Sequence, residues 1–404
     1  MNFAVSCGGT GGHMFPGLAV AAVLRARGHR VAVILSGRAV EADRAKADLP
    51  EGAEAMLVPV DPVSPRRPRS LVKLWRAWRT AKRELRAFRP DALLAMGSYT
   101  SIAPVLAARS LRVPVVLHEA NAVPGSAVAR LARFAATICT CFPDMARFFP
   151  KGAHLADTGL PLRAGFAKGV GGSKTDPSKF SLLVMGGSQG AQAVNRAVVE
   201  TLRHLQTIER AEPELPKNLE MITLGGWNFG GSEDVDDTLS TVSDDRPSVP
   251  PFRVVHVAGK RNLADTETLY ADAGLDPKRV EVEVVGFEHD MARRYAEANL
   301  CISRAGASSC FELALTGLPA LFIPLPGLAR DHQSRNAESL AARGAGMVFT
   351  QGTFQPEDLA QTLARLSVSP ERLSELRENL LAAARPDAAE RVADAVEAAA
   401  RSHE

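Results

Sequence analysis

The sequence predicts an α/β protein of two doubly wound, parallel-sheet domains, and three observations carry that prediction. The first is Gly8-Gly9-Thr10-Gly11-Gly12-His13, which follows the apolar run Phe3-Ala4-Val5 and leads into a helix-like stretch. The second is Gly186-Gly187-Ser188-Gln189-Gly190, placed the same way after Leu182-Leu183-Val184-Met185. The third is the alternation of apolar strand candidates with amphipathic helix candidates, the pattern of parallel sheets with helices on both faces. Each glycine segment reads as strand, tight turn and helix. Glycine lets the backbone approach a bulky anion, and the helix N-terminus adds free N–H donors and partial positive charge. Two such openings predict two Rossmann-like domains facing each other across a cleft.

The 404 residues suit two domains of roughly 150–200 residues each. Strands are expected at 3–7, 31–35, 92–96, 114–118 and 137–141, then at 181–185, 220–224, 281–285, 299–303 and 319–323. The flexible composition around Gly169-Val170-Gly171-Gly172-Ser173-Lys174 marks the join, giving domains of 1–162 and 163–404. Residues 225–251, rich in Gly, Asp, Ser and Pro, lack periodicity and are expected as an inserted surface loop. The alanine- and charge-rich stretch 370–401 is expected as outer helices of the second domain.

A net charge of +3 gives no whole-molecule field that would indicate a nucleic-acid partner. Five cysteines, with Cys139 and Cys141 lacking a second pair or a nearby histidine, read as buried reduced thiols of a cytosolic protein rather than a zinc site. Neither a signal peptide nor a spanning apolar run of ~20 residues is found.

Polar residues gather at strand ends, where open parallel sheets bind ligands. His13 follows the first glycine turn, and Met96-Gly97-Ser98-Tyr99 and His118-Glu119-Ala120-Asn121 end two further strands. In the second half, Arg304-Ala305-Gly306-Ala307-Ser308-Ser309 forms a small-residue turn into a helix that carries Glu312. Such a turn cradles phosphates with N–H groups and hydroxyls, and the carboxylate can accept from a ribose diol. Asp331-His332-Gln333-Ser334-Arg335-Asn336 supplies groups for sugar hydroxyls. A nicotinamide site is disfavoured because Val31-Ala32-Val33-Ile34-Leu35 runs into Ser36-Gly37-Arg38 without the acid that would hold a ribose. No Asp-x-Asp pair ends a strand; Asp234-Val235-Asp236 falls in the insertion, so neither a metal nor another cofactor is expected.

Taken in order, the Gly8 to His13 turn, His118-Glu119-x-Asn121, Gly186-Gly187-Ser188-Gln189-Gly190-Ala191, His256-x-x-Gly259, Arg304-x-Gly306-Ala307 with Glu312, and Asp331-x-Gln333 with Asn336 resemble the GT-B glycosyltransferases. More narrowly they resemble the family 28 enzymes of peptidoglycan synthesis. That resemblance implies an inverting transfer of N-acetylglucosamine from UDP-GlcNAc to the C4 hydroxyl of lipid I, giving lipid II. On the donor side it implies roles for Thr10, Gly11, Gly12, Asn121, Arg163, Ser188, Gln189, Arg304, Ala307, Ser308, Ser309 and Asn336. Backbone near Phe287 would meet the uracil, Glu312 the ribose and Gln333 the GlcNAc hydroxyls. Gly97, Ser98, Tyr99 and Asn121 would line the acceptor side, Ser98 standing where a second glycine is usual. His13 is the candidate base and Glu119 the second candidate. A related diacylglycerol glycosyltransferase and a UDP-GlcNAc 2-epimerase remain as alternatives.

Residues 64–90 carry ten Lys/Arg against one acid and two of the three tryptophans. Leu71, Leu74, Trp75, Trp78, Leu85 and Phe88 fall largely at helical spacing, among Lys73, Arg76 and Arg79. A basic amphipathic helix with tryptophan suits an anionic membrane surface; the alternative is a face packed on the core with solvated charges. The membrane reading predicts a peripheral protein on the cytoplasmic face of the inner membrane.

Overall fold

The computed structural model describes residues 1–9, 11–37, 48–60, 68–163, 165–166, 168–186, 191–212, 246–327 and 329–402. Strands covered on both faces need continuous apolar runs, and β1 (Asn2–Ser6), β2 (Arg30–Leu35), β4 (Ala92–Ala95) and β5 (Val115–Glu119) are such runs. With β3 (Glu54–Leu57), β6 (Thr137–Thr140) and β7 (Leu155–Asp157) they form a parallel sheet ordered β3-β2-β1-β4-β5-β6-β7. A second parallel sheet contains β8 (Phe180–Met185), β9 (Phe252–Val257), β10 (Val280–Val285), β11 (Leu300–Ser303), β12 (Ala320–Phe322) and β13 (Met347–Val348). Its order is β10-β9-β8-β11-β12-β13. Strand order reverses beside β1 and β4 in the first sheet and beside β8 and β11 in the second. Those reversals are where open α/β sheets bind ligands.

The chain divides into two compact units, Met1–Phe166 with Arg385–Glu404, and Ala167–Ala384. This corrects the expected 163–404 domain at its far end. The last helix, α12 (Ala388–Arg401), packs on α1 (Gly11–Ala26) of the first unit rather than on the second. The cause is its apolar stripe: Val392, Ala393, Val396 and Ala400 join Phe3, Val5, Leu24 and Val33 in one core. At the rim Arg27 pairs with Asp394 at 2.7 Å and with Glu397 at 2.9 Å.

Expected strand 220–224 and most of the inserted stretch lie outside the described residues. The end of that stretch is not a free surface loop: Val249 is buried, and Arg210 makes an isolated antiparallel bridge to Ser248 on the way into β9. All five cysteines are buried. No helix among the described residues is long and apolar enough to cross a membrane.

Candidate active site

In the first unit the site at the β1/β4 reversal is formed by backbone packed against backbone. β1 leads through Cys7 into Gly8-Gly9, and Gly9 has φ of +122°. Thr100 Oγ1 donates to the Gly8 carbonyl at 2.6 Å, so the turns after β1 and β4 are bonded to each other. A Cβ on Gly97, at φ +89°, would lie 3.3 Å from Val128 and 3.6 Å from the His13 ring. Gly97 therefore lets the turn pack directly against Val128 and the His13 ring. Ser98 follows at φ 65° and ψ 163°, a region of backbone space that belongs almost wholly to glycine. It begins the 3-10 turn Tyr99–Ser101 leading into α3 (Ile102–Ser110).

His13 is the third residue of α1, with Gly11 and Gly12 ahead of it; Thr10 lies outside the described residues. Burial lowers the His13 imidazole from 6.5 to about 4. His118, on β5, is also lowered to about 4, by burial first, with the charge of His13 adding to it and the Gly159 carbonyl opposing. Its Nε2 lies 3.2 Å from that carbonyl, and its Nδ1 is buried without a partner among the described residues.

Glu119, the second candidate base, is tied into the loop after β5. One carboxylate oxygen accepts from the Asn121 N–H at 3.0 Å and its Nδ2 at 3.1 Å, and the other from the Gly125 N–H at 2.8 Å. The side chain is buried and shapes the loop that enters α4 (Ser126–Leu131). Both oxygens accept from this loop, and through them the carboxylate holds Asn121 in place. Arg163 belongs to this unit, exposed, with its guanidinium 5.5 Å from the ring centres of Phe15 and Phe166.

In the second unit side chains connect the turns around the β8/β11 reversal. Ser188 and Gln189 lie outside the described residues, but α5 (Gln192–Leu205), which follows them, is anchored. Its buried Asn195 donates to the Ala258 carbonyl and to Thr266, and its Oδ1 lies 3.1 Å from His256 Nε2. Tyr270 Oη is 2.8 Å from His256 Nδ1, and burial takes His256 down to about 3. With a neutral, Nε2-protonated imidazole and the Tyr270 hydroxyl donating, the network is satisfied throughout.

After β11, α8 (Ala307–Thr316) begins at Gly306 with no side-chain cap. The N–H groups of Ala307, Ser308 and Ser309 thus stand at a helix start suited to an anion. Arg304 is buried; it donates to the Ile323 carbonyl at 2.8 Å and to Gln351 Oε1 at 2.7 Å, and desolvation lowers it to about 10. Asn336, on α9 (His332–Ala341), was expected against the donor but is fully buried, with Nδ2 donating to the Ala305 carbonyl at 3.1 Å. Arg304 and Asn336 shape the turn. Gln333 Oε1 accepts from the Leu325 N–H at 2.9 Å, which orients its amide.

Two adjacent residues of α7 (Met291–Ala296), Arg294 and Tyr295, complete the arrangement, and the sequence did not reveal them. Arg294 binds both oxygens of Glu283 on β10 and donates to Glu288 at 2.7 Å, fixing the turn that presents Phe287. Phe287 is 43 % exposed, with Lys260 5.1 Å above its ring and His289 edge-on at 4.8 Å. Tyr295 donates its hydroxyl to Glu312 Oε2 at 2.9 Å. No local pattern marks Tyr295, because its partner lies across β11.

The basic stretch forms α2 (Pro68–Phe88), and its two halves behave differently. Ala77, Ala81, Leu85 and Phe88 are core residues, so this half follows the packed alternative. Leu71, Val72 and Trp75 are 57 %, 51 % and 51 % exposed, with Leu74 and Trp78 half-buried. Lys73, Arg76 and Arg79 are exposed around them, and Arg79 stacks on Trp75 at 4.8 Å.

Two doubly wound parallel sheets, the first with a glycine turn at its reversal, are the architecture of the GT-B fold. Residues 3–140 match the glycosyltransferase family 28 N-terminal domain and residues 181–392 the family 28 C-terminal domain. The chain belongs to glycosyltransferase family 28 and is a glycosyltransferase. It is 34 % identical over 97 % of both chains to the UDP-N-acetylglucosamine–N-acetylmuramyl-(pentapeptide) pyrophosphoryl-undecaprenol N-acetylglucosamine transferase of Azotobacter vinelandii. The transferase of that name from Halorhodospira halophila is 35 % identical over 96 % of both chains. The crystal structure of Acinetobacter baumannii MurG superposes with a TM-score of 0.72 at 29 % identity, over 98 % of this chain and 99 % of that one.

Proposed function

We propose that this enzyme transfers N-acetylglucosamine, with inversion, from UDP-GlcNAc to the C4 hydroxyl of the muramoyl sugar of lipid I, forming lipid II. The observation that carries the reading is similarity, at 34 % and 35 % identity along nearly the whole chain, to transferases named for that donor and acceptor. Inversion takes one in-line displacement, which needs a base for the incoming hydroxyl and stabilisation of departing UDP. His13 is the base. Its lowered pKa keeps the imidazole neutral, able to accept a proton, and the charge of bound diphosphates raises that value toward the useful range. Gly97, Ser98, Tyr99 and Asn121 receive the acceptor, with Glu119 holding Asn121.

On the donor side the first N–H groups of α8, with Ser308 and Ser309, take up the charge of the leaving diphosphate. Backbone at Phe287 meets uracil, Glu312 the ribose diol and Gln333 the sugar hydroxyls. Ser188, Gln189 and Arg163 join the phosphate contacts by the family resemblance. The first half of α2 docks on an anionic cytoplasmic membrane surface, Leu71 and Trp75 entering the interface while Lys73, Arg76 and Arg79 each add ~1 kcal/mol of attraction. Trp75→Ser should weaken flotation with anionic vesicles while leaving turnover of a water-soluble acceptor unchanged. Equal flotation would remove the membrane role.

The deciding assay is UDP release from UDP-GlcNAc with and without a short-chain lipid I analogue. We expect release that depends on the acceptor, is lost in Glu312→Ala, and is slowed roughly 10²–10⁴-fold in His13→Ala. Release or sugar isomerisation without acceptor would replace the transferase reading with an epimerase. Preference for diacylglycerol in competition would change the acceptor.

A further inference from the structure

Tyr295 is completely buried, and burying a phenol hydroxyl is unfavourable unless it has a partner. The hydroxyl lies 2.9 Å from Glu312 Oε2 and 3.6 Å from the thioether of Met185, the last residue of β8. Its single proton goes to the carboxylate, by far the stronger acceptor. The ring cannot shift to follow a moving carboxylate. The Tyr295 carbonyl accepts from the Gly172 N–H at 3.0 Å, and the neighbouring Arg294 is held by Glu283 and Glu288. Glu312 itself is only half-buried, a long side chain with rotamer freedom to lose, and the Tyr295 hydroxyl ties down one of its carboxylate oxygens.

We propose that Tyr295 is a positioning residue for the nucleotide: its buried hydroxyl aims the Glu312 carboxylate, so that selectivity for a ribose over a deoxyribose depends on a side chain that does not touch the sugar. This rests on the reading that Glu312 takes the ribose diol. Orienting the carboxylate before binding lowers the ordering cost at the moment the nucleotide arrives. The nucleoside site is then set from beneath by α7, with Arg294 holding the Phe287 turn and Tyr295 holding the carboxylate.

The test is calorimetric binding of UDP and 2′-deoxy-UDP to the intact protein, to Tyr295→Phe, to Glu312→Ala and to the double variant. Tyr295→Phe keeps the buried ring, and its melting temperature reports the structural cost separately. The unaltered protein should prefer UDP by about 10-fold or more, the size of one hydrogen bond to a charged group. In Tyr295→Phe the preference should fall to within about three-fold, and adding it to Glu312→Ala should cause no further loss. A lowered melting temperature with an unchanged UDP to 2′-deoxy-UDP ratio would overturn the proposal, leaving Tyr295 a tie between two helices. If Glu312→Ala itself keeps the ratio, the ribose reading fails and the proposal falls with it. If Glu312→Ala abolishes the ratio while Tyr295→Phe preserves it, the proposal alone fails.

Discussion

The two units solve one problem with different materials. In the first, Gly9 stands against Ser98 of the turn after β4, Gly8 against Ser36 of the turn after β2 and Gly97 against Val128 and the His13 ring, and most of the precision is steric. In the second, the turns after β10, β11 and β12 are held by buried polar side chains: Arg294 to Glu283 and Glu288, Tyr295 to Glu312, Arg304 to Gln351 and Asn336 to Ala305. The first arrangement has little tolerance for an added atom. The second has little tolerance for a removed one.

That contrast can be broken at several points. The largest effect is expected at Arg294, where a Gln leaves the half-buried Glu288 with only the longer 3.6 Å pairing to Arg293 and removes the nearer cation from Glu283. We expect a loss of about 3 kcal/mol in urea unfolding, together with weaker UDP binding. A change under 1 kcal/mol would show that the ion pairs are incidental. Next is Gly17, inside α1, where a Cβ would stand 2.3 Å from the Cβ of Cys7. Gly17→Ala should cost about 2 kcal/mol, despite the better helix propensity of alanine, because two core elements must separate.

Acid should affect both units through buried imidazoles. His118 and His256 are lowered from 6.5 to about 4 and about 3, so between those limits the unfolded chain binds protons that the folded chain does not. Stability is therefore complete above pH 6.5 and falls as the pH drops toward 4, by about 1–2 kcal/mol for each group at pH 5. His256→Gln should flatten that slope in denaturant midpoints measured from pH 7 to 5; an equally steep slope would contradict it. The smallest effect is expected at Ser98. Replacing it by glycine relieves the backbone and should gain about 1 kcal/mol, with some loss of acceptor affinity if its hydroxyl is used. A destabilised Ser98→Gly would mean that the hydroxyl holds the turn.

The features built from glycine and apolar runs were legible in the sequence. Strands β1, β4, β5, β8 and β11 carry continuous apolar residues, and β1, β4, β5 and β11 lead into the turns expected of them, while the turn after β8 lies outside the described residues. The edge strands β3, β7 and β13 were not, since Glu54–Leu57, Leu155–Asp157 and Met347–Val348 are short and weakly patterned. Glu119 and Asn336 show the limit for site residues. Their chemistry suits a ligand, but only the folded chain shows that backbone groups take up the Glu119 carboxylate and that Asn336 is buried. Tyr295 shows the converse, because a residue whose role depends on a partner across a strand leaves no local signature. The fate of α2 depended on which turns of one helix find a neighbour, and no periodicity within the helix could divide it.

The return of α12 to the first unit has a consequence for biosynthesis. Residues 167–384 form a complete unit of their own, and they leave the ribosome before the helix that the first core is waiting for. During elongation the first sheet therefore exists with the surface under Val392, Val396 and Ala400 uncovered, while the second unit is free to fold. The unit made first is the one finished last.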